Sequence, residues 1–132
     1  MDWGKIKGAK EALDNPDCKA GTIYQMNYAE KTGKLGREFK GGNAIFTEPL
    51  PPIKCAGAPQ KVMYLWASAW EKAGIHAKVN YLKPQDFMFG VAKYSEALGS
   101  VAARYGVNVE FKHNLVEIKQ NNVAIFKNLL TE

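Results

Sequence analysis

The chain has 132 residues, 46% hydrophobic and 23% charged, with a formal net charge of +5. That is enough chain for one domain with a real core, in the composition of an ordinary globular protein. No apolar run approaches the roughly 18 residues of a membrane helix, and the opening Met1-Asp2-Trp3-Gly4-Lys5 has neither the apolar segment of a secretory signal nor the look of a transit peptide.

The lysines are scattered and not interleaved with aromatic residues, so the positive charge reads as a solvated surface and not as nucleic-acid binding. Cys18 and Cys55 lack C-x-x-C spacing and point to no metal site; a Cys18–Cys55 disulfide stays open. In chain order, Ile6, Ala9 and Leu13 predict a short amphipathic helix over 3–14, stopped by Asn15-Pro16-Asp17. Thr22-Ile23-Tyr24 predicts a short strand, and 28–39 a helix weakened by Gly33 and Gly36. Residues 1–40 read as a weakly specified N-terminal helix and connecting segment.

Ala44-Ile45-Phe46, between Gly41-Gly42 and Glu48-Pro49, predicts a short buried strand. Pro49, Pro51 and Pro52 stiffen the loop that follows by fixing φ. Cys55 comes next. Gly57 and Pro59 then open a helix over 58–73, with Pro59 near the first helical position, where a missing N–H costs nothing. Val62, Leu65, Trp66, Ala69 and Ala73 form its predicted core stripe, flanked by Met63, Tyr64 and Trp70, and Gly74 caps it. A strand is predicted over 77–82 and broken by Lys83-Pro84-Gln85. A helix over 89–105 follows, with Val91, Tyr94, Leu98, Val101, Ala102 and Tyr105 as its stripe and Gly106 as its cap. Val107, Val109 and Phe111 alternate as a third strand. Alternating runs at 115–119 and 123–127, across Gln120-Asn121-Asn122, predict a hairpin.

The order β-α-β-α-β followed by a hairpin predicts an α/β fold with a parallel sheet and right-handed crossovers. The expectation is a Rossmann-like, FAD/NAD(P)-binding-type domain over 41–132. Ligands of such sheets sit at the carboxyl ends of strands, where a dinucleotide-binding fold carries its glycine-rich loop. No G-x-G-x-x-G occurs in the chain, and Cys55 stands in that place. A helix N-terminus carries partial positive charge, and Lys54 and Lys61 add full charges. Cysteines in such settings have pKa values of roughly 3.5–7.5 in place of about 8.5, so Cys55 is a candidate nucleophile. The plainer reading is a small buried hydrophobe. His76 and His113 read as surface residues.

The stretch Gly42-Asn-Ala-Ile-Phe-Thr47, with Lys54-Cys-Ala-Gly-Ala-Pro-Gln-Lys61 and Met63-Tyr-Leu65, resembles the eukaryotic-type sulfide:quinone oxidoreductases. Phe89-Gly-Val, Lys93-Tyr94 and Asn114-Leu-Val-Glu117 agree, so the resemblance spans residues 22–130. It implies a membrane-associated flavoprotein that oxidises sulfide with FAD and passes electrons to quinone. Cys55 matches one of two redox cysteines, the one carrying persulfide sulfur that passes to a small acceptor such as glutathione or sulfite. The family attaches peripherally to the mitochondrial inner membrane or the bacterial cytoplasmic membrane. The FAD fingerprint, the second redox cysteine and the membrane-binding helices have no match here. The expectation is therefore one domain cut from a larger flavoprotein, soluble, without a membrane segment and without turnover of its own, whose partners include the missing FAD-binding domain. Lys54, Gly57, Ala58, Pro59 and Lys61 are the residues expected near the flavin. Plain solvent exposure of the lysines and tight packing of the small residues are the alternatives. Other functions weighed are a flavocytochrome-linked sulfide dehydrogenase, a flavin-free sulfur carrier, and an interaction domain with an inert cysteine.

Overall fold

The structure, a computed structural model, describes residues 3–131. A 3-10 turn at Trp3–Lys5 is followed by α1 (Ala9–Asp14), α2 (Met26–Glu38), β1 (Gly42–Thr47), α3 (Ala58–Lys72), β2 (Ala77–Leu82), α4 (Ala92–Arg104), β3 (Asn108–Glu110), β4 (His113–Lys119) and β5 (Val123–Asn128). The chain divides into two compact units. One comprises the residues up to Phe39 with Leu115–Lys127; the other comprises Lys40–Asn114 with the chain from Asn128.

The second unit is a parallel three-stranded sheet in the order β1-β2-β3, with α3 and α4 as crossovers. The α/β class and the parallel order follow the sequence pattern. Phe46 stands beside Tyr81, and Tyr81 beside Val109. Val79 and Tyr81 of the central strand are buried with Met63, Ala67 and Trp70 of α3. The rings of Phe46 and Trp70 lie 6.1 Å apart, and Trp66 stacks on Trp70 at 5.8 Å. Two predictions about burial are corrected. β1 is an edge strand, and Ile45 on it is 50% exposed. The buried face of α3 is Pro59, Gln60, Met63, Ala67 and Trp70, whereas Leu65 of the predicted stripe is 63% exposed. Apolar residues lie nearly all round this helix. The Gln60 amide on the inward face donates to the Met88 carbonyl.

α4 starts at Ala92, later than predicted. The Phe87–Gly90 segment bends ahead of it, and the N–H groups of Met88 and Phe89 donate to Ser95 Oγ at 3.1 and 3.4 Å. Ala102 of its predicted stripe is buried, but Val91 and Tyr94 are exposed. Gly74 and Gly106 close α3 and α4 with φ of 68° and 65°.

The first unit corrects the predicted 3–14 helix. Gly8 takes φ 72°, and a Cβ on it would stand 2.3 Å from the Ile118 carbonyl oxygen. The chain there is extended: the Lys7 N–H donates to Val116 O at 2.9 Å, and the Ile118 N–H to Lys7 O at 2.8 Å. Helix therefore begins only at Ala9. Thr22-Ile23-Tyr24 is a bend, not a strand, with Thr22 Oγ taking the Tyr24 N–H at 3.3 Å. Gly36 is buried inside α2. β4 and β5 form the predicted hairpin, with Asn122 at φ 65° in its turn.

Candidate active site

Parallel pairing aligns Thr47, the last residue of β1, with Leu82, the last of β2. Each strand is followed directly by a charged residue and a proline: Glu48-Pro49 and Lys83-Pro84. The register sets these opposite charges side by side. Glu48 Oε1 lies 3.1 Å from Lys83 Nζ, and both side chains are 2% exposed. The Tyr81 hydroxyl donates to Glu48 Oε2 at 2.7 Å. Lys83 Nζ also donates to the Met88 carbonyl at 3.1 Å and lies 5.7 Å from the ring centres of Tyr81 and Phe87. The Met88 carbonyl accepts a second bond from Gln60 Nε2, while Gln60 Oε1 is buried without a hydrogen-bond partner.

The proline loop leaves from Glu48 and delivers Cys55 three residues before α3. The Cys55 carbonyl accepts the Ala58 N–H at 3.0 Å, and Gly57 is the N-cap. Cys55 is an exposed thiol, and Lys54 and Lys61 are exposed beside it in sequence. Pro59 occupies the first turn of α3 and is buried. Around Gly57 there is open space: a Cβ there would meet no heavy atom within 4 Å. A cavity of about 240 Å³ adjoins this helix start, lined by Gly57, Gln60, Lys61, Tyr64, Phe89 and Leu98. Burial pushes the Tyr64 hydroxyl up to about 12, and it donates to the Leu98 carbonyl at 2.8 Å. A wider cleft of about 570 Å³ lies along Asp86–Gly90 and the start of α4. The hydrogen bond from Lys112 holds the Asp86 carboxyl below its usual range.

The sequence reading placed Cys55, Lys54, Gly57, Ala58, Pro59 and Lys61 at one loop and helix start, and the structure gathers them there. Cys18 is 1% exposed, and both cysteines are thiols, so the Cys18–Cys55 disulfide left open by the sequence is not formed. His76 is exposed, and the His113 ring engages the Phe111 carbonyl at 2.7 Å and Glu110 at 3.6 Å. The buried group of Glu48, Tyr81, Lys83, Gln60 and Met88 was missed. Its signal was the repeated strand-charge-proline ending with opposite signs. Among the described residues no group of three His, Cys, Asp or Glu side chains forms a metal cluster. No helix among them is long and apolar enough to cross a membrane.

No protein-family profile matches the chain. It is 42% identical over 130 residues to "Sulfide:quinone oxidoreductase, mitochondrial" of Mus musculus, covering 96% of this chain. Proteins of the same name from Schizosaccharomyces pombe and Dictyostelium discoideum are 38% and 41% identical over 97% and 95% of it. The chain is a relative of the sulfide:quinone oxidoreductases. It spans about 28% of the length of the mouse relative, so the likeness is to one segment of those enzymes. The sulfide:quinone oxidoreductase of Aquifex aeolicus superposes with a TM-score of 0.73 at 16% identity, covering 97% of this chain and 30% of that one. A chain in the Tetrahymena thermophila mitochondrial ATP synthase superposes with 0.76 at 18% identity, over 98% of this chain and 34% of that one. These two likenesses concern the fold alone.

Proposed function

We propose that this chain is the cysteine-bearing, Rossmann-like part of a flavin-dependent sulfide:quinone oxidoreductase, in which Cys55 takes up sulfide sulfur. The observation that carries the reading is the identity to three curated sulfide:quinone oxidoreductases over at least 95% of the chain, with Cys55 exposed on a proline-stiffened loop inside the matched stretch.

Parallel strands that end at the loops of Cys55 and Lys83 place both at the side of the sheet where such folds hold ligands. The open space at Gly57 fits a flat ring. Gly57, Ala58 and Lys61 would border the flavin, which supplies a two-electron acceptor when bound. Pro59 is packed inward and contributes stiffness. Lys54 and Lys61 supply positive charge for the hydrosulfide anion. The Cys55 thiolate and hydrosulfide combine into a Cys55 persulfide, releasing one proton and two electrons. A bound flavin would supply the acceptor for these two electrons, with quinone as the final oxidant. A glutathione thiolate or sulfite then attacks the outer sulfur, the S–S bond breaks, and the Cys55 thiolate is restored.

The test is C55S in the full-length flavoprotein, assayed for sulfide-dependent quinone reduction and for persulfide by thiol-blocking mass spectrometry. Turnover is expected to fall by at least about 10³-fold, as for loss of a nucleophile, with no persulfide on this peptide. Wild-type turnover by C55S would overturn the proposal.

A further inference from the structure

The loop that presents Cys55 is tied at both ends to one buried ammonium group. At its start, Glu48 meets Lys83 Nζ at 3.1 Å and is held from its other oxygen by Tyr81. At its end, five residues past Cys55, Gln60 Nε2 donates to the Met88 carbonyl, which Lys83 Nζ also engages at 3.1 Å. Glu48, Gln60 and Lys83 are each 2% exposed. The relay Glu48, Lys83, Met88 carbonyl, Gln60 therefore closes residues 49–59 into a handle whose two feet are joined out of contact with water.

Such a relay is a poor device for stability alone. Well-packed apolar residues usually hold a core as well as a buried ion pair does. What it adds is direction, because charge-assisted bonds fix the separation and angle of the groups they join more sharply than apolar packing. Both anchors flank the one exposed cysteine. We propose that Lys83 is a positioning residue that sets, through Glu48 and the Met88 carbonyl, where Cys55 is held for sulfur transfer. This rests on the reading of Cys55 as the sulfur-carrying residue.

The experiment compares wild type, E48Q/K83M and Q60L in the full-length protein. The double variant removes both charges together, and Q60L removes the unpartnered Oε1 along with the anchor, so each is chosen to stay folded. A misplacement of about 1 Å costs on the order of 10²-fold in rate. The expected result is a fall in kcat of about tenfold or more in both, with KM for sulfide and the iodoacetamide labelling rate of the Cys55 peptide within about twofold of wild type. Wild-type kcat in either variant that is folded by thermal melting, or a loss that only tracks the folded fraction, overturns the positioning role. If C55S also keeps wild-type turnover, it is the reading of Cys55 that fails. If C55S is inactive while the variants are fully active, only the role of Lys83 fails.

Discussion

The two units manage their polar groups in opposite ways. In the unit that ends at Phe39 and resumes at Leu115, the polar ties lie at or near the surface. Asp14 accepts from Lys10 and, at 2.6 Å, from the Tyr28 hydroxyl; Asn15 Nδ2 donates to Gln120 at 2.9 Å. Those bonds from Lys10 and Tyr28 hold the Asp14 carboxyl below its usual range. Lys31 Nζ donates to the carbonyls of Ala12, Leu13 and Asn15 at 2.9, 3.1 and 2.7 Å, capping the short α1 from outside. In the unit from Lys40, the decisive polar group is a fully buried ion pair with its own tyrosine and carbonyl partners. Water compensates a broken tie in the first unit and cannot do so in the second. The unit that carries the Cys55 loop is the one whose central polar contact is buried.

The sharpest way to break that comparison is to remove one buried partner. Lys83→Met strips the buried Glu48 of its ion-pair partner, and we expect a loss of about 3–5 kcal/mol in urea unfolding. Adding Glu48→Gln should recover most of that loss; a single variant as stable as wild type would show that water reaches the pair. In the other unit Lys31→Met should cost only about 1 kcal/mol by the same measurement, because the α1 carbonyls it releases can turn to solvent. A cost equal to that of Lys83→Met would erase the distinction.

The smallest effect is one of pH. Burial raises Tyr64 from 10.0 to about 12. The neutral phenol is thus favoured in the folded state. Its contribution is fully present below pH 10 and is lost as pH rises through about 12. Thermal melts from pH 9 to 12 should fall less steeply for Tyr64→Phe than for wild type; parallel curves would exclude the hydroxyl as a source of the slope. Lys31, which burial pushes down, is kept by both proteins and cancels from this comparison.

Much of the second unit was legible. The alternation at 77–82, the glycine caps at 74 and 106 and the Gly57–Pro59 helix start each rest on local geometry that few residues satisfy. The helix faces were less so. Met63, Tyr64, Trp66 and Trp70 give α3 apolar surface on several sides, and periodicity alone cannot choose among them. The first unit was read least well because its order is borrowed from afar: the extended Lys7 is paired with residues near position 117.

By itself the sequence determined the β-α-β-α-β order, the hairpin, and the placing of Cys55 between a stiff loop and a helix start. Those features follow from turn chemistry, φ restriction and short-range periodicity. Only the tertiary structure decided that Ile45 lies half exposed on an edge strand, that Cys18 is buried, and that Glu48 and Lys83 share one dry site. The physical reason is register. Pairing Thr47 with Leu82 brings together two charges 35 positions apart, and no local preference of either residue encodes that meeting.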